Sequence, residues 1–196
     1  MRLLPVLLLL VVACTKNEGP PGPKAYSKDE VPKEWAPLVE KGDSALAELQ
    51  KGLIPKLTKA LSEGPPSHAV SVCQVEAPAI KAALEASQGL ELGRTSHKLR
   101  NPKNAPRAWA APFVAQAAGK KFAEVGPWVV DLGDRIGLLR PIPVGPPCVT
   151  CHGLAQGLDQ TLTATLAQLY PNDQATGFAE GDLRGWFWAE LKKPGP

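Results

Sequence analysis

Methionine is all but absent from this chain; the only one is Met1. Cysteine and histidine are nearly as scarce, with four Cys and three His in 196 residues. An excess of charge of one sign is also lacking. The 22 Lys and Arg are set against 19 Asp and Glu, for a formal net charge of +3. So small and scattered an excess argues against nucleic acid as a partner. There is no glycine-rich phosphate loop and no internal repeat. The one long apolar run, Leu3 to Ala13, is interrupted by Pro5. It is too short for a membrane-spanning helix, which needs about 20 residues.

What that run does fit is export. Arg2 supplies a charged start, so residues 1–13 are expected to be a signal peptide. The sequence Val11-Val12-Ala13-Cys14 has the pattern of a bacterial lipobox. Cleavage before Cys14 would leave a lipidated Cys14 as the mature terminus. The protein would then sit on the periplasmic side of a bacterial membrane, held by its lipid anchor. Residues 14–27 contain Gly19-Pro20-Pro21-Gly22-Pro23, too rich in proline and glycine for a regular element, and read as a tether. Residues 28–196 are long enough for one domain with its own core.

Within that domain, Leu46, Leu49, Leu53, Leu57 and Leu61 recur at helical steps, with Gly52 and Pro55 expected to weaken or kink the helix. Gly64-Pro65-Pro66 ends it. Ser67 is a candidate N-cap for a second helix from His68 to about Ser87, closed by Gly89. Ala69, Cys73, Ala77, Ile80 and Leu84 share one face of it, so Cys73 points inward. The run from Arg94 to Pro106 is polar and basic, either a solvated loop or a loop folded over an anion. A short helix follows Pro106, with Pro112 disturbing it. Strands are expected at Trp128–Leu132, Ile136–Ile142 and Leu183–Leu191, the first two joined at Gly133-Asp134. Asp159 to Leu169 is a further helix. On the last strand, Leu183, Gly185, Phe187, Ala189 and Leu191 fall on one face, with Arg184, Trp186, Trp188 and Glu190 on the other. The two Trp either cover a flat cofactor or pack in the sheet.

The chemistry lies in Cys148-Val149-Thr150-Cys151-His152. This Cys-x-x-Cys-His pattern is the attachment signature of a c-type haem. Two thiols three residues apart can each add to a haem vinyl group, and the next imidazole can reach the iron. A half zinc site would want a second ligand pair, and a thioredoxin-like redox pair would want a βαβ setting. Neither is found. Export agrees with this reading, because c-type haem is attached outside the cytoplasm. One covalent haem c is expected, with His152 as its proximal iron ligand. Arginine offers a planar, permanently charged fork for carboxylates, which makes Arg94, Arg100 and Arg184 the candidates for the haem propionates.

The residue inventory narrows the sixth iron ligand. Met1 leaves with the signal peptide, so a His/Met cytochrome is excluded. His68 lies five residues before Cys73, about 140° away around a helix. Cys73 is either a small buried core residue or a ligand, and His97 in the polar loop is its rival.

Three blocks give the chain a family resemblance. They are Arg94-Thr95-Ser96 through Arg100-Asn101-Pro102 and Asn104-Ala105-Pro106; Pro141-Ile142 leading to Cys148–Gly153; and Tyr170-Pro171-Asn172-Asp173-Gln174-Ala175-Thr176-Gly177 with Gly181-Asp182-Leu183-Arg184-Gly185. With the Cys73 helix, they resemble the Tll-like c-type haem domain family, bacterial monohaem cytochromes. The resemblance implies an α+β fold, a PAS-like antiparallel sheet flanked by N-terminal helices and carrying covalent haem c. It also implies that Cys73 matches the family's axial cysteine. The chain departs from the pattern at His97, where an apolar residue is expected, and at Arg107 and Ala110, where acidic ones are.

A thiolate ligand would stabilise ferric iron and fill the sixth position. That argues against an enzyme and for electron transfer with a redox partner protein. The alternative is a haem-based redox or gas sensor working with a separate signalling partner.

Overall fold

In the computed structural model, residues 23–195 are described. The expected signal peptide, the lipidation site Cys14 and the tether up to residue 22 lie outside them. The chain opens with strand β1 (Ala25–Tyr26), then two helices, α1 (Ala36–Glu63) and α2 (Pro66–Gln88). Strand β2 (Glu91–Thr95) and the short helix α3 (Ala111–Gln116) follow. Strands β3 (Trp128–Asp131) and β4 (Arg135–Pro143) form a hairpin. Helices α4 (Val149–His152) and α5 (Gln160–Leu169) precede the last strand, β5 (Leu183–Lys192). The five strands make one antiparallel sheet in the order β1-β3-β4-β5-β2. This is the expected α+β architecture, with an antiparallel sheet and N-terminal helices.

The apolar stripe of α1 does what its spacing predicts. Ala45, Leu46 and Leu49 are buried against Leu92, Ile136, Leu138, Phe187, Ala189 and Leu191 on one face of the sheet. The helix runs on through Pro55, which faces solvent, where water can serve the carbonyl its missing N–H leaves free. Helix α2 starts at Pro66 rather than at His68 behind a Ser67 cap, because a proline in the first turn forgoes a donor that has no helical partner. For the same reason Pro112 sits in the first turn of α3 instead of disturbing it. On the other face of the sheet Trp186, Trp188 and Leu139 pack with Ala110, Val114 and Ala117. Both Trp therefore serve as sheet packing.

Three expectations are corrected. The tether does not reach residue 27: Ala25 and Tyr26 pair with Val130 and Val129, so the domain begins within what read as linker. The polar run does not begin as a loop, because Arg94 and Thr95 belong to β2, paired with Phe187 and Trp186. Leu183 lies with Trp186 and Trp188 rather than on the Phe187 face. The register of β4 and β5 shifts between Ile142 and Pro143, which lets one extra residue, Arg184, into β5 and flips the alternation. At this bulge β2 approaches so closely that a Cβ on Gly185 would lie 2.3 Å from the Thr95 carbonyl oxygen.

The far end of β5 carries Glu190, 6% exposed. Its carboxylate accepts from Arg107 Nε at 2.7 Å, Trp109 Nε1 at 2.8 Å and Arg135 at 3.1 Å. The departure at Arg107 thus has a local reason: it ties β5 to Glu91 of β2 as well, at 2.7 Å.

Candidate functional site

Beyond the end of the sheet, a third apolar cluster joins α2 to α5. Val70, Leu162 and Leu166 form it, with Cys151 and Tyr170 packed against it. The chain reaches this cluster from β4 through a 3-10 turn at Pro146–Cys148 and then α4. On α4 and the turn before it, Cys148 and Cys151 are three residues apart, which puts them on neighbouring helical positions. Cys73, Cys148 and Cys151 are all free thiols and all half-buried.

His152 is fixed by the loop between α5 and β5. The Ala175 carbonyl lies 2.7 Å from His152 Nδ1. A carbonyl can only accept, so Nδ1 carries the proton and Nε2 keeps its lone pair. Burial, with the Arg184 and Arg100 charges nearby, drives the imidazole pKa down to about 2, so the ring is neutral. A neutral imidazole with its other nitrogen bound to a backbone carbonyl is the usual state of a metal-ligating histidine.

The same loop covers the backbone of the motif. Gly177 N–H donates to Gly153 O at 2.8 Å and Phe178 N–H to His152 O at 2.9 Å. Gly177 turns the chain there with φ 79, a left-handed conformation that glycine adopts without a Cβ clash. Arg100 donates to Cys151 O at 2.6 Å and, through Nε, to Asp173 at 3.0 Å. The guanidinium of Arg100 is therefore largely engaged by the loop.

Arg94 and Arg184 are different. Arg94 stands on the helix-covered face of β2, with Leu92. Burial lowers its pKa, and the nearest balancing groups are the Cys73 thiol and the Tyr170 hydroxyl. Arg184 donates to Ser96 Oγ at 3.0 Å and Lys98 O at 3.3 Å, and its guanidinium lies 5.1 Å from the centre of the Phe178 ring. Burial, then Arg100 and Arg94, bring its pKa down to about 10. Among the described residues neither arginine has a carboxylate within ion-pair distance.

Cys73 lies one helical turn beyond Val70, on the side of α2 that faces this cluster. Burial pushes its thiol pKa up, and Arg94 pulls it back. It is also close enough to Cys151 to add to the burial that raises the Cys151 thiol pKa. His97 packs edge-on against Phe178, 5.8 Å between ring centres, and Phe178 packs edge-on against His152 at 6.3 Å. His97 Nδ1 is buried without a partner, and burial, with Lys98 and Arg184, keeps the ring neutral. His68 is exposed. Cys14 lies outside the described residues.

Sequence reasoning brought together Cys73, Arg94, Arg100, Cys148, Cys151, His152 and Arg184 around one region. It missed the roles of Asp173, Ala175 and Phe178. An acidic residue among Pro, Asn and Gly reads as an ordinary turn, and Ala175 acts through its backbone, which has no side-chain signature.

Comparison with known proteins matches residues 24–190 to the Tll0287-like family. Among solved structures the chain is similar to the cyanobacterial heme-protein Tll0287. The two are 23% identical, the alignment covers 84% of this chain and 98% of that one, and the TM-score is 0.60. At that identity the likeness is one of fold. No curated protein matches the sequence.

Proposed function

The chain belongs to the Tll0287-like family, and on that premise we propose that it is a monohaem c-type cytochrome working in electron transfer. One observation carries the reading. Two unbridged thiols one helical turn apart are followed directly by an imidazole whose Nδ1–H is already given to Ala175, leaving Nε2 for a metal.

The surrounding residues fit a haem. Cys148 and Cys151 would hold it through thioethers, and His152 would ligate the iron. Cys73 is the favoured sixth ligand, with Arg94 nearby to support a thiolate. His97 remains the rival; its ring packs edge-on against Phe178, which also packs against His152. Arg184 and Arg94, half-buried cations without carboxylates, suit the two propionates. Arg100 has less to offer them, because its Nε and one terminal nitrogen are engaged by the protein. A bound haem supplies a one-electron iron couple. As a thiolate ligand Cys73 would favour the ferric form and lower the potential, and together with His152 it would leave the iron no place for a substrate. That supports a carrier that exchanges electrons with a redox partner protein rather than an enzyme. Export and a lipid anchor at Cys14 complete the proposal, resting on the pattern at residues 1–14.

The test is expression of the full chain in a host with haem-attachment machinery, followed by acid–acetone extraction. Haem should stay with the protein, and replacing Cys148 or Cys151 by Ser should leave little holo-protein. Complete extraction of haem from the wild type would refute covalent attachment. Mass spectrometry of the mature N-terminus tests the anchor, and an unmodified terminus beyond Cys14 would refute it.

A further inference from the structure

We propose that Asp173 and Arg100 are positioning residues for His152, and that they set the potential of the iron it binds. The inference rests on His152 being an iron ligand and goes beyond it. The relay is short and complete. His152 Nδ1–H donates to the Ala175 carbonyl at 2.7 Å. Asp173 Oδ1 accepts from Ala175 N–H at 2.8 Å, which fixes that residue in the turn. The other oxygen of Asp173 takes Arg100 Nε at 3.0 Å. Arg100 closes the circle by donating to the Cys151 carbonyl at 2.6 Å, and it lies 3.4 Å from the Ala175 carbonyl.

This is more than loop anchoring. The Arg100 and Asp173 side chains are only 13% and 11% exposed, so solvent does little to screen the pair. Arg100 grips the residue before His152, and Asp173 holds the residue that receives the His152 proton. Between them they fix both ends of the imidazole's environment: where its backbone sits and where its acceptor sits. A carbonyl held at 2.7 Å makes the imidazole a better electron donor, and the better donor favours ferric iron. Released, Ala175 would drift from Nδ1, the ring would turn more freely, and the ferric form would lose support.

The experiment is redox titration and EPR of holo-protein in three forms: wild type, Asp173→Asn and Asp173→Ala. Asn keeps an oxygen for Ala175 N–H but loses the charge facing Arg100, whereas Ala loses both. Asp173→Ala should shift the ferric-to-ferrous ratio about tenfold toward ferrous at a fixed ambient potential, a rise of about 59 mV for one electron. Its ferric EPR lines should broaden or move. Asp173→Asn should fall between it and the wild type, a grading that a general loss of stability would not produce. An unchanged potential and EPR spectrum in Asp173→Ala at full haem content overturns the inference and leaves the cytochrome reading intact. Absence of covalent haem from the wild type overturns both. If Asp173→Ala does not fold, the wild type decides alone: in the reduced, nitrogen-15-labelled protein the His152 Nδ1 proton should exchange slowly with heavy water. Exchange within the dead time overturns the inference.

Discussion

The two ends of strand β5 handle buried charge in opposite ways. At one end Glu190 is buried with its donors in place, from Arg107, Arg135 and Trp109. Burial alone would raise its pKa, but the bonds from Arg107 and Trp109 more than reverse this, so the carboxyl stays below its usual range. At the other end Arg184 is half-buried among cations. Burial, Arg100 and Arg94 all act to weaken its hold on its proton. Asp173 is nearby but is bonded to Arg100. A partly buried charge without a counter-charge is costly, and on the proposed function a dianionic ligand beside Arg94 and Arg184 would supply the missing partners. The Glu190 end is a brace across β2, β4 and β5; the Arg184 end would be the receptor.

Four substitutions sharpen or break that contrast. The largest effect is expected at Cys73 on the receptor side. Cys73→Ala should remove the low-spin thiolate signature from the ferric EPR spectrum. It should also raise the potential by at least about 59 mV, a tenfold change in the ferric-to-ferrous ratio. An unaltered spectrum would make Cys73 a core residue. Glu190→Gln comes next. It takes from Arg107 and Arg135 the buried carboxylate they share, leaving them the exposed Glu91, and should cost about 2–3 kcal/mol in denaturant unfolding, with the haem spectrum unchanged. A spectral change there would mean the two ends are not separate. Arg184→Gln should behave differently with and without haem. In holo-protein it should destabilise by about 1–2 kcal/mol through loss of a charge-assisted bond. In a haem-free Cys148→Ser, Cys151→Ser background it should be near neutral, because relief of a cation without a carboxylate partner offsets the loss of its bonds to Ser96 and Lys98. Equal costs in both backgrounds would end the receptor account. His97→Leu should have the smallest effect, leaving the EPR spectrum and potential as they were, since Cys73 is the favoured ligand and the His97 ring packs on Phe178. A changed ferric spectrum would restore His97 as a ligand.

Much of the fold and of the candidate site was readable from the residues, for reasons particular to each; the Glu190 brace was not, since its partners lie far apart in the chain. Helix α1 was visible because its leucines keep one stripe over several turns, and α5 because Leu162, Leu166 and Leu169 share a face; the structure adds Asp159 as its cap, accepting from Leu162 N–H at 2.9 Å. Strands β3 and β4 announced themselves as apolar runs on either side of Gly133-Asp134, and β5 by its alternation. Strand β2 did not, since Glu91-Leu92-Gly93-Arg94-Thr95 has one large apolar residue and owes its strand state to pairing with β5. Strand β1 is two residues in a proline-rich setting, held by backbone bonds to β3. The phase of Leu183 could not be read because a bulge is a backbone event, invisible to a strict two-residue period. In the site, the motif Cys148–His152 carried its own spacing. The relay through Asp173, Ala175 and Arg100 was hidden because it runs partly through main-chain atoms. Arginine 100 looked from sequence like a propionate donor because its type permits that role; only its neighbours show the guanidinium already engaged.

The central claim is that one haem is held covalently at Cys148 and Cys151 and ligated by His152. Mass spectrometry of protease-digested protein, purified from a haem-attaching host, tests it most directly. The account predicts the peptide containing Cys148–His152 carrying one haem, with no unmodified form in the holo fraction. Recovery of that peptide with both thiols free, from a chain that is folded and exported, would contradict it.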